Sequence, residues 1–377
     1  MDGLTHSLVG LTLAKAGLER LSPTATTVCI LSANAPDIDV VSRVFGDHWT
    51  LLHYHRGLTH SIIGTFTLGI LIPTVFYLVD RIVARWRKRS GQIRYRGLMI
   101  ASLFAVTTHP LMDWTNNYGV RPMLPWDGKW FYGDLVFIVD PYIWLTVGGA
   151  AFLLTSNRRW KLAGWSLLGI ATTLLVLLLS AQRAIDPNTV MVLRLIWILG
   201  LSIFIVCRAI HFQEKFGKSI ALAALLLIAC YWMALALIHH AAYQNALQRA
   251  RQLAVENGEQ LMRVAAMPAA ANPLRWQSIA ETDSAFYRFY VEVGQNPSTA
   301  RERFEKPHGA GMQIVSAASS DRRARVFLEF ARFPLAQVQS VDCIGQTLVQ
   351  FADLRYTEPG APAGNFSLNV SVDCPTR

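Results

Sequence analysis

The sequence predicts a mainly α protein. A polytopic helical membrane domain spans residues 1–240, and a small α+β or β-rich soluble domain follows over 241–377. Three observations predict this. Hydrophobic residues make up 52% of the 377 positions and charged residues only 16%, against about 25% charged in an ordinary soluble chain. The apolar residues are concentrated in long runs between Ser61 and His239. From Ala241 onward the chain reads as ordinary soluble sequence.

A helix needs about 20 apolar residues to cross the hydrocarbon core of a bilayer. Residues 61–79, 163–181, 190–210 and 219–238 meet that readily. Residues 97–113 and 135–155 qualify with polar interruptions, which gives about six spans. Ahead of them, residues 4–21 and 23–35 read as weaker helical segments. They would form a short hairpin in the membrane or lie at its surface.

Lys/Arg asymmetry in the short loops sets the orientation. The stretch RIVARWRKRSGQIRYR carries Arg81, Arg85, Arg87, Lys88, Arg89, Arg94 and Arg96, and is expected inside. Residues 114–134 hold only Arg121 and Lys129 and are expected outside. Arg158, Arg159 and Lys161 mark an inner loop, the 182–189 loop with Arg183 an outer one, and Arg208, Lys215 and Lys218 an inner one. The alternation delivers residues 241–377 to the outer face, which is the periplasm for a bacterial inner membrane.

In that compartment Cys343 and Cys374 could form a disulfide. Cys29, Cys207 and Cys230 lie in apolar stretches and read as packing residues. The opening MDGLTHSLVG has an acidic Asp2 and no basic region, so no cleavable signal peptide is expected. The net charge of +10 sits largely in loops beside apolar runs, so nucleic acid is not an expected partner.

The soluble tail begins as a polar helix, 241–263, with Leu247, Leu253 and Leu261 at heptad-like spacing. After MPAAANP, the segments FYRFYVEV, RARVFLEFARF, TLVQFADLRY and NFSLNVSV alternate and are rich in β-branched and aromatic residues. All four read as strands.

The chemistry is concentrated in the first 113 residues. His6 lies in THSLVG, Asp37 and Asp39 in NAPDID, His53, His55 and His60 in HYHRGLTHS, and His109 and Asp113 in THPLMD. Each piece has a bland reading. PDID suits a turn or a helix cap, and HYHRGLTHS suits an interfacial segment touching lipid headgroups. His109 and Asp113 are harder to dismiss. They stand four apart on one helix face, in an expected span where ionisable groups are costly and usually functional.

The expected topology brings all these residues to the outer end of the spans. Imidazole and carboxylate donors suit zinc, manganese or iron(II). His6, Asp37, His55, His60, His109 and Asp113 are the expected metal ligands, enough for one or two ions. Arg56 would hold an anionic group and Asp39 would act as general base. The aromatic loop WTNNYGVRPMLPWDGKWFYGD would cover the site or form an interfacial belt. Asp134 and Asp140 are secondary sites; Asp140 precedes Pro141 and is either functional or tied to a helix break.

In the order HSLVG, PDID, HRGLTHS, THPLMDWTNNYG, the chain resembles the YdjM-like family of predicted inner-membrane metal-dependent hydrolases. The resemblance covers roughly residues 1–200. It implies a helical membrane domain and a divalent-metal hydrolase activity, with matching positions at His6, Asp37, Asp39, His55, Arg56, His60, His109 and Asp113. The leading expectation is a zinc-dependent hydrolase of an amphiphilic, lipid-like ester or phosphoester at the outer membrane face. The alternatives are a metal- or proton-linked transporter, and a non-catalytic membrane protein whose outer domain binds a partner.

Overall fold

The computed structural model describes residues 1–179, 187–295, 300–340, 345–357, 360 and 364–373. Cys343, Cys374 and Arg183, with the readings placed on them, lie outside the described residues. In chain order the helices are α1 (Gly3–Ala16), α2 (Ala25–Asn34), α3 (His48–Tyr54), α4 (Ile62–Trp86), α5 (Tyr95–Trp114), α6 (Pro141–Thr155), α7 (Arg159–Leu179), α8 (Pro187–Ala209), α9 (Phe212–Phe216), α10 (Lys218–Asn257), α11 (Ala310–Ala318) and α12 (Arg322–Phe330).

The chain divides into two compact units. The first comprises Met1–Ile38, Arg56–Leu237 and Pro268–Pro273; the second comprises Asp39–His55, Ile238–Met267 and Leu274–Arg377. Neither is a single stretch of sequence.

In the first unit, α1 starts where the Asp2 carboxylate accepts the Thr5 N–H at 3.0 Å and ends at Gly17, whose φ of 143° suits glycine. The α1–α2 contact depends on the absence of a side chain at Gly10. A Cβ there would meet the Cys29 carbonyl oxygen at 2.7 Å and the Ala33 Cβ at 2.9 Å. Small residues continue the seam onto α5, where Ala14, Ala25, Val28, Cys29, Ala101 and Ala105 form one buried cluster. A hydrogen bond of 2.8 Å between the hydroxyls of Ser32 and Ser102 adds to it. Close approach of small residues is how helices associate where lipid removes the hydrophobic incentive.

Among the described residues, four helices are long and apolar enough to cross a membrane: α4, the Arg159–Leu178 part of α7, α8, and α10. The 25 residues of α4 extend ~37 Å at 1.5 Å each, more than the ~30 Å core. Their outward faces carry Leu71 and Leu78, Leu195 and Leu199, and Leu226 and Leu237, all exposed, as a lipid-facing surface would. The expected count of six is not confirmed. α5 buries Ser102, His109 and Asp113 in the protein interior, and α6 has only 15 residues. Asp140 is the N-cap of α6; its carboxylate accepts the N–H groups of Tyr142 and Ile143 at 2.8 and 3.2 Å. Pro141 follows at the first helical position, where it needs no partner. The Asp-Pro pair is therefore a helix start.

Among the described residues, the second unit holds two antiparallel sheets. One runs β1 (Leu261–Ala269), β2 (Asn272–Thr282), β3 (Ala285–Glu292), β4 (Arg301–Glu305) in sequential order. The other is β5 (Pro334–Val338), β6 (Gln346–Asp353), β7 (Ser367–Asp373). Trp276, Tyr287 and Phe289 pack on Ala246, Ala250 and Leu253 of α10. Three expected strands are present as β3, β6 and β7. RARVFLEFARF is a helix instead: Asp321 caps it, and Ala324, Phe327 and Phe330 recur every three residues on one buried face. The stretch read as the end of a helix and a Pro/Ala linker is β1 and the turn into β2. α3 packs on α12, with Trp49 edge-on to Phe327 at 6.4 Å between ring centroids.

Candidate metal centre

The site is assembled from the ends of elements in the first unit. Asp37 lies in the 3-10 segment Ala35–Val44 that continues from α2. His60 closes the 3-10 turn Leu58–His60, and Ser61 then caps α4 by accepting the Gly64 N–H at 3.1 Å. His109 and Asp113 are one turn apart on α5, facing inward. His6 comes from α1.

These groups converge. His60 Nε2 and His109 Nε2 are 3.1 Å apart. Asp37 Oδ1 lies 3.5 Å from the first and 3.4 Å from the second. Asp113 Oδ2 lies 3.3 and 3.6 Å from the same two nitrogens. A tetrahedral ion with bonds of 2.0–2.2 Å to nitrogen and oxygen sets its donors about 3.3–3.5 Å apart. The two-imidazole, two-carboxylate set thus matches a divalent cation in chemistry and in size.

The tautomer of His109 supports this. Its Nδ1 is 2.7 Å from the carbonyl oxygen of Ala33. A carbonyl only accepts, so Nδ1 carries the proton and Nε2 turns its lone pair into the cluster. Backbone or carboxylate support of the distal ring nitrogen is the usual arrangement for a metal-ligating histidine. The Ala33 carbonyl is available because it falls in the last turn of α2, where helical partners run out.

His6 stacks on His109 with ring centroids 3.7 Å apart. Its Nε2 lies 3.4 Å from Asp113 Oδ1, and neither ring nitrogen makes a hydrogen bond. Two buried, unbonded ring nitrogens are costly unless a further ligand uses one of them. The Met1 amino group also contacts Asp113. The side chains of His6, His60, His109 and Asp113 are 0–1% exposed, whereas Asp37 is 29% exposed. Access to the cluster is therefore through Asp37. Burial opposes the charge on Asp37, but the imidazoles of His109 and His60 beside it outweigh it and hold the carboxyl below its ordinary range.

Arg56 has a different place from the one expected. Its side chain is buried, with Nε 3.0 Å from Asp113 Oδ2. Nη1 donates to Asn116 Oδ1 at 3.0 Å, to the Gly119 carbonyl at 3.2 Å and to the Asp113 carbonyl at 3.3 Å. The guanidinium also stacks over Tyr118, 4.5 Å from the ring centroid. It orients Asp113 and ties α5 to the TNNYG turn. Asp39 and His55, both expected in the site, belong to the second unit and pair with each other, Oδ1 to Nδ1 at 3.0 Å. His53 lies 3.8 Å from Glu329 in that unit. Ala33 was not read as a site residue, because its contribution is a main-chain oxygen. Asn116 was read only as part of the aromatic loop.

The family model for the YdjM inner membrane protein matches residues 1–185. The uncharacterized protein YfhP of Bacillus subtilis (strain 168) is 29% identical over 156 residues, covering 39% of this chain and 44% of that protein. The inner membrane protein YbcI of Escherichia coli (strain K12) is 31% identical over 132 residues, covering 34% of this chain and 70% of that protein. The match to YfhP therefore spans less than half of that relative's length. No solved structure matches significantly.

Proposed function

We propose, for a chain that belongs to the YdjM inner membrane protein family, the function of a membrane-embedded metal-dependent hydrolase of amphiphilic esters or phosphoesters. The observation that carries the proposal is the convergence of Asp37, His60, His109 and Asp113 on one point. A divalent ion held there, zinc in the first instance, would acidify a bound water and polarise a substrate oxygen.

The chain's own residues supply the rest. The Ala33 carbonyl fixes the proton of His109 on the far side of the ring. Arg56 holds the Asp113 carboxylate in place. Asp37 forms the accessible edge at which a substrate would arrive. The amphiphilic substrate class follows from His60 standing two residues before α4, one of the helices fit to cross the membrane. On the loop-charge argument the second unit faces the periplasm.

The test is hydrolysis by detergent-purified protein against a panel of phospholipids and phosphoesters, with and without chelator. Chelator-sensitive turnover that disappears in His109→Ala supports the reading. Bound metal with no turnover, together with metal uptake into proteoliposomes, would replace it with transport. Orientation is read from Ser320→Cys, an exposed position. Labelling by an impermeant maleimide from the periplasmic side is expected, and labelling from the cytoplasmic side alone would reverse the orientation.

A further inference from the structure

A groove of about 840 Å³ opens in the first unit between α1, α6, α7 and α8. Its walls are apolar, with Leu8, Trp144, Phe152, Trp165, Trp197 and Phe204 among the side chains. It follows α8 from Trp197 to Arg208, ~17 Å at 1.5 Å per residue, which is about half the hydrocarbon thickness of a bilayer. The groove is therefore as deep as one leaflet.

One end differs from the rest. Arg208 lines it, and its Nε and Nη2 donate to the hydroxyl and carbonyl oxygens of Ser156 at 3.0 and 3.1 Å. Both acceptors are neutral. The neighbouring sequence adds Arg158, Arg159, Lys161, Lys215 and Lys218. The 208–218 stretch also carries Glu214, which lies 2.9 Å from His211. A cation beside apolar surface at the membrane boundary calls for an anion, and a guanidinium grips phosphate with two parallel donors.

We infer that this groove binds a single anionic phospholipid, with an acyl chain along the apolar wall and the phosphate at Arg208. Basic pockets between spanning helices on the cytoplasmic side are suited to such headgroups. A second protein helix would fill the wall but leave the basic end without a counter-charge. None of the metal-centre side chains takes part, so the inference stands independently of the hydrolase reading.

The experiment is native mass spectrometry of the full chain released from detergent, with phosphatidylglycerol and phosphatidylcholine of identical tails in equimolar competition. One bound phosphatidylglycerol per chain is expected, preferred by about 5-fold for one productive Arg contact. Arg208→Gln should bring the ratio to about one, and Arg208→Lys should retain most of the preference. Gly169→Leu tests the tail. Gly169 lines the groove, and a Cβ there meets nothing within 4 Å. The added side chain should fill the groove and lower occupancy by both lipids without disturbing the helices. Equal binding of both lipids by the wild type would overturn the inference. So would a preference that survives Arg208→Gln, or occupancy unchanged in Gly169→Leu.

Discussion

The Nε2 atoms of His60 and His109 face each other at 3.1 Å, and the Ala33 carbonyl leaves the second of them without a proton. Two imidazole nitrogens held this close share one hydrogen or one cation. The carboxylates of Asp37 and Asp113 beside them favour the cation. Elemental analysis of purified wild-type protein should find about one divalent ion per chain, falling below about 0.1 in His109→Ala and in Asp113→Asn. Full occupancy in either variant would remove the tetrad from consideration as the ligand set.

Arg56 acts on the site through Asp113. Arg56→Ala leaves a buried carboxylate short of a partner and should weaken metal affinity about 10–100-fold. It should also lower stability by about 3–5 kcal/mol. Arg56→Lys restores the charge without the fork that reaches Asn116 and Gly119, and should recover the affinity only in part. Competition with a fluorescent chelator and thermal unfolding in detergent measure the two effects separately. A normal affinity in Arg56→Ala would show that Asp113 needs no such support.

Gly10 governs the spacing of α1 and α2, and so the positions of His6 and Ala33. Gly10→Ala places its methyl against the Cys29 carbonyl oxygen and the Ala33 Cβ, at an expected cost of about 1–3 kcal/mol. A larger residue should part the helices and abolish metal binding as well. Unchanged melting of Gly10→Val would contradict the close contact.

Glu259 gives the second unit a pH dependence of definite sign. Burial opposes its charge, but hydrogen bonds from Arg303, Thr282 and Tyr287 hold its pKa at about 2, against an ordinary 4.5. A carboxylate with a depressed folded-state pKa stabilises above its unfolded pKa and loses that contribution as pH falls through the folded value. The melting difference between wild type and Glu259→Gln should be full at neutral pH, shrink from about pH 4.5 and vanish near pH 2. A difference independent of pH would show that the ionised form is not what Arg303 holds.

His109 and Asp113 were legible in the sequence because their spacing of four and their apolar setting both pointed inward. His60 and Asp37 were legible as donor types, but not in which carboxylate meets which imidazole: His55 pairs with Asp39, whereas His60 and His109 face Asp37. Short 3-10 segments turn consecutive side chains in directions that no helix or strand period describes. The contact of Arg56 with Asp113 was not legible because charge alone does not tell whether a guanidinium faces a ligand or a neighbouring carboxylate. α12 was read as a strand because its aromatic residues masked a three-residue period. The four helices that, among the described residues, are long and apolar enough to cross a membrane were visible from length and hydropathy. α5 was read as a further span with polar interruptions; what the sequence did not show is that Ser102, His109 and Asp113 are buried within the protein.

The acceptor for His109 Nδ1 is a main-chain oxygen, and this bears on how the site can drift between related chains. Substitution at position 33 does not remove a carbonyl. What the position demands is smallness, because its Cβ approaches Gly10 across the α1–α2 seam. Glycine or serine can replace alanine there without disturbing the imidazole. The neighbouring helix can therefore exchange side chains at this point while the histidine keeps its proton on the same nitrogen. A motif written in side chains will pass over the one partner of His109 that substitution cannot take away.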